Sequence, residues 1–221
     1  MSTATPDLSR QMQAAPLKRA TIDDAARIAR LFAAAFERDP VFNWLARAGS
    51  GRAMALQRFY FWVLRERSLP HGETWMAPDG YAAAAWIPPY FDGKRSPPTF
   101  SQELFLLPVI LGLTGLSRFV RGAAMAAALE EAHPTEPFFY LAFIGVAPRF
   151  QGSGLGSRVL TETLARVDAA GAPAFLENSN PRNIALYERA GFAVSKEIVV
   201  RHDAPPIFAM WRPARPNSVK R

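Results

Sequence analysis

Apolar residues recur at Ile28, Leu31, Phe32, Ala35 and Phe36, the three-to-four spacing of a single helix face. Thr21 to Asp24 precede them as a capping box closed by Asp rather than Glu. Pro40 bars the helix from continuing. A second amphipathic helix is expected over about residues 52–67, with Met54, Leu56, Phe59, Tyr60 and Val63 available for one face. Residues 73–87 predict a hairpin: Thr74 to Met76, a Pro78-Asp79-Gly80 turn, then Tyr81 to Ile87, ended by Pro88 and Pro89. Residues 93–99 are polar and proline-rich, which predicts a loop, and residues 101–131 predict one or two helices.

The second half of the chain is more sharply punctuated. Phe138 to Val146 is an apolar run between Pro137 and Pro148, suited to a central strand. Ser157 to Ala170 predicts a helix with Leu160, Leu164 and Val167 on one face and Gly171 as its stop. Ala174 to Glu177 is a short buried strand. Pro181 to Ala190 predicts a helix with Asn180 as N-cap, Pro181 at its first position and Gly191 beyond its end. Two closing strands follow, Ala193 to Val200 and Ile207 to Trp211. Strand and helix alternate, so the class is α/β with a partly parallel sheet.

Composition narrows the chemistry. The 221 residues, 49% hydrophobic and 20% charged, suffice for one folded domain with a sizeable core. Zero cysteines exclude disulfides, thiolate metal sites and a cysteine nucleophile. His71, His133 and His202 are too far apart for a metal-ligand spacing, so no metal is expected. The net charge of +7 owes much to Arg212, Arg215, Lys220 and Arg221 near the C-terminus. Without them the body is mildly basic, which suits a polyanionic small molecule and gives no footprint for nucleic acid. Residues 1–16 read as a frayed leader with no apolar signal, and 214–221 as a basic tail. The uncharged stretch Leu104 to Ser117 is too short and too broken by Pro108, Gly112 and Gly115 to span a bilayer. The expectation is a cytoplasmic protein, monomer or homodimer, with no membrane partner.

Between the central strand and the next helix lies Gln151-Gly152-Ser153-Gly154-Leu155-Gly156-Ser157. Glycines opening a helix leave backbone N–H groups free and unshielded, which makes a phosphate cradle. No Gly-Lys-Ser/Thr closes the segment, so it is not a P-loop. The dinucleotide fingerprint requires glycine where Ser157 stands, although Glu177 ends the following strand as a ribose-binding acid would. A nucleotide-binding half-fold is therefore the competing interpretation.

Gln151, Gly154 and Gly156 form a Gln-x-x-Gly-x-Gly pattern that resembles the pyrophosphate-binding motif of the GNAT superfamily of N-acetyltransferases. Asn180, Asn183, Tyr187, Gly191 and Phe192 resemble that superfamily's second cofactor motif. Within it, the segments Phe139 to Ala142, Gly145-Val146, Gln151 to Ser157, Pro173 to Glu177 and Pro181 to Asn183 are similar to the puromycin N-acetyltransferase type, as is Ala34 to Phe36. The resemblance covers about residues 17–213, a single domain with a helical insert near 100–131. It implies a mixed, twisted sheet of six to seven strands with helices on both faces and a splay between the two central strands. It also implies acetyl-CoA as cosubstrate and a small-molecule primary amine as acceptor, joined by direct attack in a ternary complex. A non-catalytic acyl-CoA-binding module of the same fold is the alternative.

Attack of an amine on a thioester needs a pyrophosphate cradle, a polarised carbonyl, a proton donor for the thiolate and removal of a proton from the amine. Gln151, Gly152, Ser153, Gly154, Leu155, Gly156 and Ser157 are the cradle candidates, with Asn183 for the pantetheine arm. Ile144, Gly145 and Val146 end the long strand, and Gly145 is a candidate bulge that frees an N–H from the ladder. Taken alone, Tyr187 on an apolar helix face reads as core; its place in the Asn…Tyr…Gly-Phe pattern makes it the proton-donor candidate. Its phenol and the leaving thiol differ by only about 1.5 pKa units in water. For the base, Glu177 beside the splay, Asp39 in the Arg38-Asp39-Pro40 turn, and water all remain open; Asp39 stands where the puromycin type has tyrosine. His133 reads as structural. Phe42, Trp44, Tyr60 and Trp62 suit either an acceptor pocket or plain core.

Overall fold

The computed structural model describes residues 15–89 and 100–215. The predicted loop at 93–99, nearly all of the leader and the tail beyond Arg215 lie outside them. Strands are β1 (Lys18–Arg19), β2 (Thr74–Met76), β3 (Ala82–Ile87), β4 (Phe139–Val146), β5 (Ala174–Asn178), β6 (Ala193–Ile198) and β7 (Ile207–Arg212). Helices are α1 (Ala25–Ala35), α2 (Pro40–Leu45), α3 (Arg52–Val63), α4 (Phe100–Thr114), α5 (Phe119–Ala132), α6 (Leu155–Ala169) and α7 (Ile184–Arg189).

The seven strands form one sheet in the order β1-β2-β3-β4-β5-β7-β6. Only β4 and β5 are parallel; every other neighbouring pair is antiparallel. That order bears out the mixed sheet and removes the nucleotide-binding half-fold, whose strands would all run parallel. The apolar run predicted as a central strand is the middle strand of the seven.

Side chains alternate across the sheet, and each face is covered. Ala82, Ala84 and Trp86 of β3 pack with Leu155, Val159, Leu160 and Leu164 of α6. Ala83 and Ala85, on the other face, pack with Ile28 and Phe32 of α1 and with Leu56 and Tyr60 of α3. A run of small side chains in β3 thus lets helices approach the sheet from both sides. On the α1 side a second cluster joins Val41 of α2 and Met125 of α5 to Phe138, Phe175 and Ala209.

Local rules explain most boundaries. The capping box at Thr21 and Asp24 forms, over a 3-10 turn that leads into α1. The hairpin turn forms with Gly80 at φ 73° and the Asp79 carboxylate accepting from the Tyr81 N–H. Residues 101–131 resolve into two helices, α4 and α5. The helix predicted over 52–67 is α3 extended by a π-helical turn, Leu64–Ser68.

Three details differ from the expectations. β1, only two residues long, carries no periodic signal and forms by pairing with β2. Pro40 does not merely end α1: it opens α2 at the first helical position, with Asp39 as N-cap. The helix expected from Pro181 begins as a 3-10 turn, Pro181–Asn183, before α7 proper.

Candidate active site

β4 and β5 are hydrogen-bonded partners only at Phe139–Ala174 and Tyr140–Phe175. Beyond those pairs β4 runs six further residues and β5 three, without pairing, so the strands part into a wedge-shaped gap. The expected splay is present. Ala147 N–H donates to Tyr81 C=O, and the antiparallel alternation that follows points Gly145 and Phe143 at β3. The backbone groups of Ile144 and Val146 are then aimed into the gap.

Gly145 is not the bulge. The extra residue in β4 is Ala142, because Ala85 faces Phe143 while the next residue, Trp86, faces Leu141. Gly145 pairs in register with Ala83. Its lack of a side chain serves packing instead: a Cβ there would lie 2.8 Å from Phe32 Cδ1 and 3.2 Å from Ala35 Cβ of α1.

A cleft of about 650 Å³ starts at this wedge and runs past the start of α6. Gln151, Gly152, Gly154, Gly156 and Ser157 line it, together with Ile144, Gly145 and Val146. Gly152 and Gly154 adopt φ of 78° and 85°, the left-handed conformation that presents successive N–H groups to one side. The first turn of α6 adds N–H groups that have no intrahelical acceptor and the positive end of a fifteen-residue helix. Nothing lies within 4 Å of where a Gly152 Cβ would be. This open, amide-lined concavity fits a pyrophosphate.

Two residues of the predicted cradle do not line the cleft. The Ser153 hydroxyl turns back to donate to Phe150 C=O at 2.6 Å. Leu155 is buried in the core as the first residue of α6. The Gln151 amide donates to Val146 C=O at 3.2 Å, fastening the glycine turn to the end of β4. Arg149 lies over the Tyr81 and Phe150 rings, at 4.3 and 4.8 Å from their centroids.

On the opposite wall, the loop after β5 and α7 supply Asn180, Arg182, Asn183, Leu186, Tyr187 and Arg189. Asn183 lines the cleft as expected. Asn180 does so while its side chain accepts from the Arg182 N–H as a cap. Arg38, Arg182 and Arg189 were not singled out from the sequence. Arg182 and Arg189 flank Asn183 and Tyr187 on the same short segment, a basic signal that was available there. With the amide cradle they make the cleft a site for a polyanion.

Tyr187 is buried, packs edge-on to Phe192, and borders the cleft. Burial first, and the Asp39 charge second, push its hydroxyl well above the usual phenol range. It is therefore a donor at any physiological pH. Asp39 also lines the cleft and is buried. Its Oδ1 accepts from the N–H groups of Val41 and Phe42 at 2.9 and 3.1 Å, and its Oδ2 accepts from the Ser179 hydroxyl. Burial raises its carboxyl above the ordinary range, opposed by those three hydrogen bonds and by Arg52.

The third predicted catalytic residue does not line the cleft. Glu177 shares a face of β5 with Phe175, the face covered by α5, away from Tyr187 and α6. Its carboxylate meets His133 there at 2.8 Å. The aromatic candidates divide: Phe42 and Tyr60 are core, Trp44 is half-buried and donates to Asp203, and Trp62 is half-buried. Among the described residues no group of three or more His, Asp or Glu side chains is placed to hold a metal ion, and no single helix is long and apolar enough to cross a membrane.

A parallel pair of strands that separates in front of a glycine-opened helix defines an acyltransferase fold of the GNAT class. Residues 39–192 match the acetyltransferase (GNAT) family, and the chain belongs to that family. It is a GNAT-family N-acetyltransferase, and the family implies an acyl-CoA donor. Solved structures agree on the fold. A Corynebacterium glutamicum protein, histone acetyltransferase HPA2 and related acetyltransferase, is 23% identical with a TM-score of 0.66, over 92% of this chain and 98% of that one. Arylalkylamine N-acetyltransferase 2 from Aedes aegypti is 14% identical with a TM-score of 0.61, over 90% and 99%. The Drosophila melanogaster polyamine N-acetyltransferase, which forms N-acetylagmatine, is 14% identical with a TM-score of 0.57, over 89% and 98%.

Proposed function

We propose that the protein transfers an acetyl group from acetyl-CoA to the primary amine of a small molecule, by direct attack within a ternary complex. The observation that carries this is the separation of β4 from β5 directly in front of the α6 amide cradle. In this reading the pyrophosphate rests on Gly152, Gly154, Gly156 and Ser157, and Arg38, Arg182 and Arg189 balance its charge. The pantetheine arm adds to the Ile144 and Val146 backbone like a partial strand, with Asn183 beside it. A thioester carried to the apex of the wedge meets the backbone dipoles of β4, and Tyr187 donates its proton as the thiolate leaves. The likeness to the puromycin type, and structural neighbours that act on arylalkylamines and agmatine, support a small amine over a protein acceptor.

The chain has no cysteine, so CoA is the only thiol an assay can see. Incubation with acetyl-CoA and a panel of aryl-alkyl, polyamine and nucleoside-type amines, followed with a thiol reagent, should show amine-dependent release of CoA. Tight CoA binding without release by any amine in the panel would contradict the small-amine acceptor.

A further inference from the structure

A nitrogen that has attacked a thioester must lose a proton, and in a closed site that proton needs a route to bulk water. Tyr187 cannot take it, since its own hydroxyl is a donor on the α6 face. Asp39 is poorly placed to take it, with Oδ1 held by two backbone N–H groups and Oδ2 by Ser179. The other face of the sheet carries a different polar set.

Phe175 is the last residue of β5 paired to β4. Glu177 is therefore the first side chain on that face beyond the point where the strands part. Its carboxylate is only 6% exposed, and Oε1 lies 2.8 Å from His133 Nε2. His133 follows directly on α5, and its ring packs over Tyr140 and Phe175 at 5.4 and 5.5 Å between centroids. The imidazole thus covers the apex of the wedge. Its other nitrogen, Nδ1, lies 3.4 Å from Glu130 Oε2, on a side chain that is 76% exposed. Buried carboxylate, imidazole and solvated carboxylate form a line from the apex to the surface. Tyr140 lies beside the ring and, at the rim, Glu131 reaches Lys196 at 3.9 Å. The Glu177 contact is close but lacks hydrogen-bond geometry, so transfer between the two requires the ring to reorient.

We propose that Glu177 accepts the proton released by the attacking amine and that His133 relays it to Glu130 and solvent. This rests on the amine-acetylation reading above. The N–H bond of the substrate breaks as an O–H bond forms on Glu177. His133 takes that proton on Nε2 and gives up its Nδ1 proton to Glu130, and a turn of the ring resets it. Tyr187, left as a phenolate after protonating the thiolate, regains a proton from water in the open cleft. For each neutral amine acetylated, one proton therefore leaves by the relay, one returns to Tyr187, and no residue changes its final charge. Imidazole suits the task because it can receive on one nitrogen and release from the other. In these terms Glu177 is the catalytic residue, while His133 and Glu130 act through it.

The test measures CoA release at saturating acetyl-CoA and fixed pH, in wild type and in His133→Gln, across a range of buffer concentrations. Turnover of the variant should fall about tenfold or more in dilute buffer, the scale of a lost proton-transfer group. Concentrated buffer or added imidazole should restore most of it, while calorimetric CoA affinity stays unchanged. Glu130→Gln, a change on an exposed side chain that spares the core, should show a smaller loss with the same buffer response. Glu177→Gln should lose turnover without rescue. Wild-type turnover in Glu130→Gln and His133→Gln at every buffer concentration would overturn the relay, and so would a loss that no buffer restores in variants that bind CoA normally. Should His133→Gln fail to fold, Glu130→Gln alone decides by the same criterion. Failure of the wild type to use any amine, despite binding CoA, would overturn the amine reading instead, and the relay with it.

Discussion

The Ser179 hydroxyl donates to Asp39 Oδ2 at 2.5 Å, tying the loop that leaves β5 to the first turn of α2. The two sides of the cleft mouth are thereby fastened through one carboxylate, which also caps a helix. A cap of this kind is worth about 1 kcal/mol, and here it is made at the cost of burying a charge.

That cost sets a pH dependence. The Asp39 carboxyl is raised in the folded chain, so the fold holds this proton more tightly than the unfolded chain does. Its contribution to stability is therefore greatest when protonated, and declines as pH rises from the ordinary carboxylate value of about 3.9 through the higher folded value. Asp39→Asn keeps an oxygen for the cap and removes the charge. The variant should melt at or above the wild-type temperature near neutral pH, with the difference closing toward pH of about 4. A difference that widens on acidification would show the opposite linkage.

Removal of the Tyr187 hydroxyl in Tyr187→Phe retains the ring and its packing on Phe192. Turnover should drop roughly 10²–10⁴-fold, the range for a positioned acid. Acetyl-CoA affinity should move by less than about 1 kcal/mol. The loss should fall in kcat rather than KM. Full activity would assign the leaving-group proton to another donor.

Gly156 sits in the first turn of α6, lines the cleft and has ordinary helical φ, so bulk can be added there without backbone strain. Gly154, at φ 85°, offers no such clean test. Gly156→Val should weaken CoA binding at least about tenfold, or about 1.4 kcal/mol, while the far-ultraviolet circular dichroism is unchanged. Equal affinity by calorimetry would refute the amide cradle.

A methyl at Gly145 would press on Phe32 and Ala35, so Gly145→Ala should destabilise the fold by about 1–3 kcal/mol in urea titration. Trimming the opposing ring in the double variant with Phe32→Leu should cost less than the two single changes together, since the residues are in contact. Strict additivity would mean that the close approach of α1 to β4 is not what requires glycine.

Where the chain was legible, the controlling signals were local. Asn180 and Pro181 open a helical turn, Gly171 closes α6, and Gly80 closes the hairpin, because each sets its own dihedrals or caps its own neighbours. The cradle was legible for the same reason. What escaped was set by partners distant in sequence. Nothing near Gly145 announces Phe32, and the two residues of β1 make sense only beside β2. Residue type marked Asp39 and Glu177 alike as carboxylates. Which of them borders the cofactor cleft depends on the face each element presents, and that is fixed only when α6 and α5 settle on opposite sides of the sheet. His133 had no motif around it; its position over Tyr140 and Phe175 is a tertiary result.

The extra residue in β4 acts as a phase shifter. Upstream of Ala142 the odd-numbered Phe139 and Leu141 face α6, whereas downstream the even-numbered Ile144 and Val146 do. One inserted residue therefore lets a strand that is regular against β3 at both ends present different parity in its two halves. A deletion at Ala142 would leave composition and hydrophobicity almost untouched. It would return β4 to plain alternation along its whole length. Phe139, Leu141, Ile144 and Val146 would still face α6 and Phe143 would still face α1, so the core pattern would survive and only the local bend would go. For engineers and for sequence comparison alike, a chain one residue shorter between Tyr140 and Gly145 can therefore carry the same core.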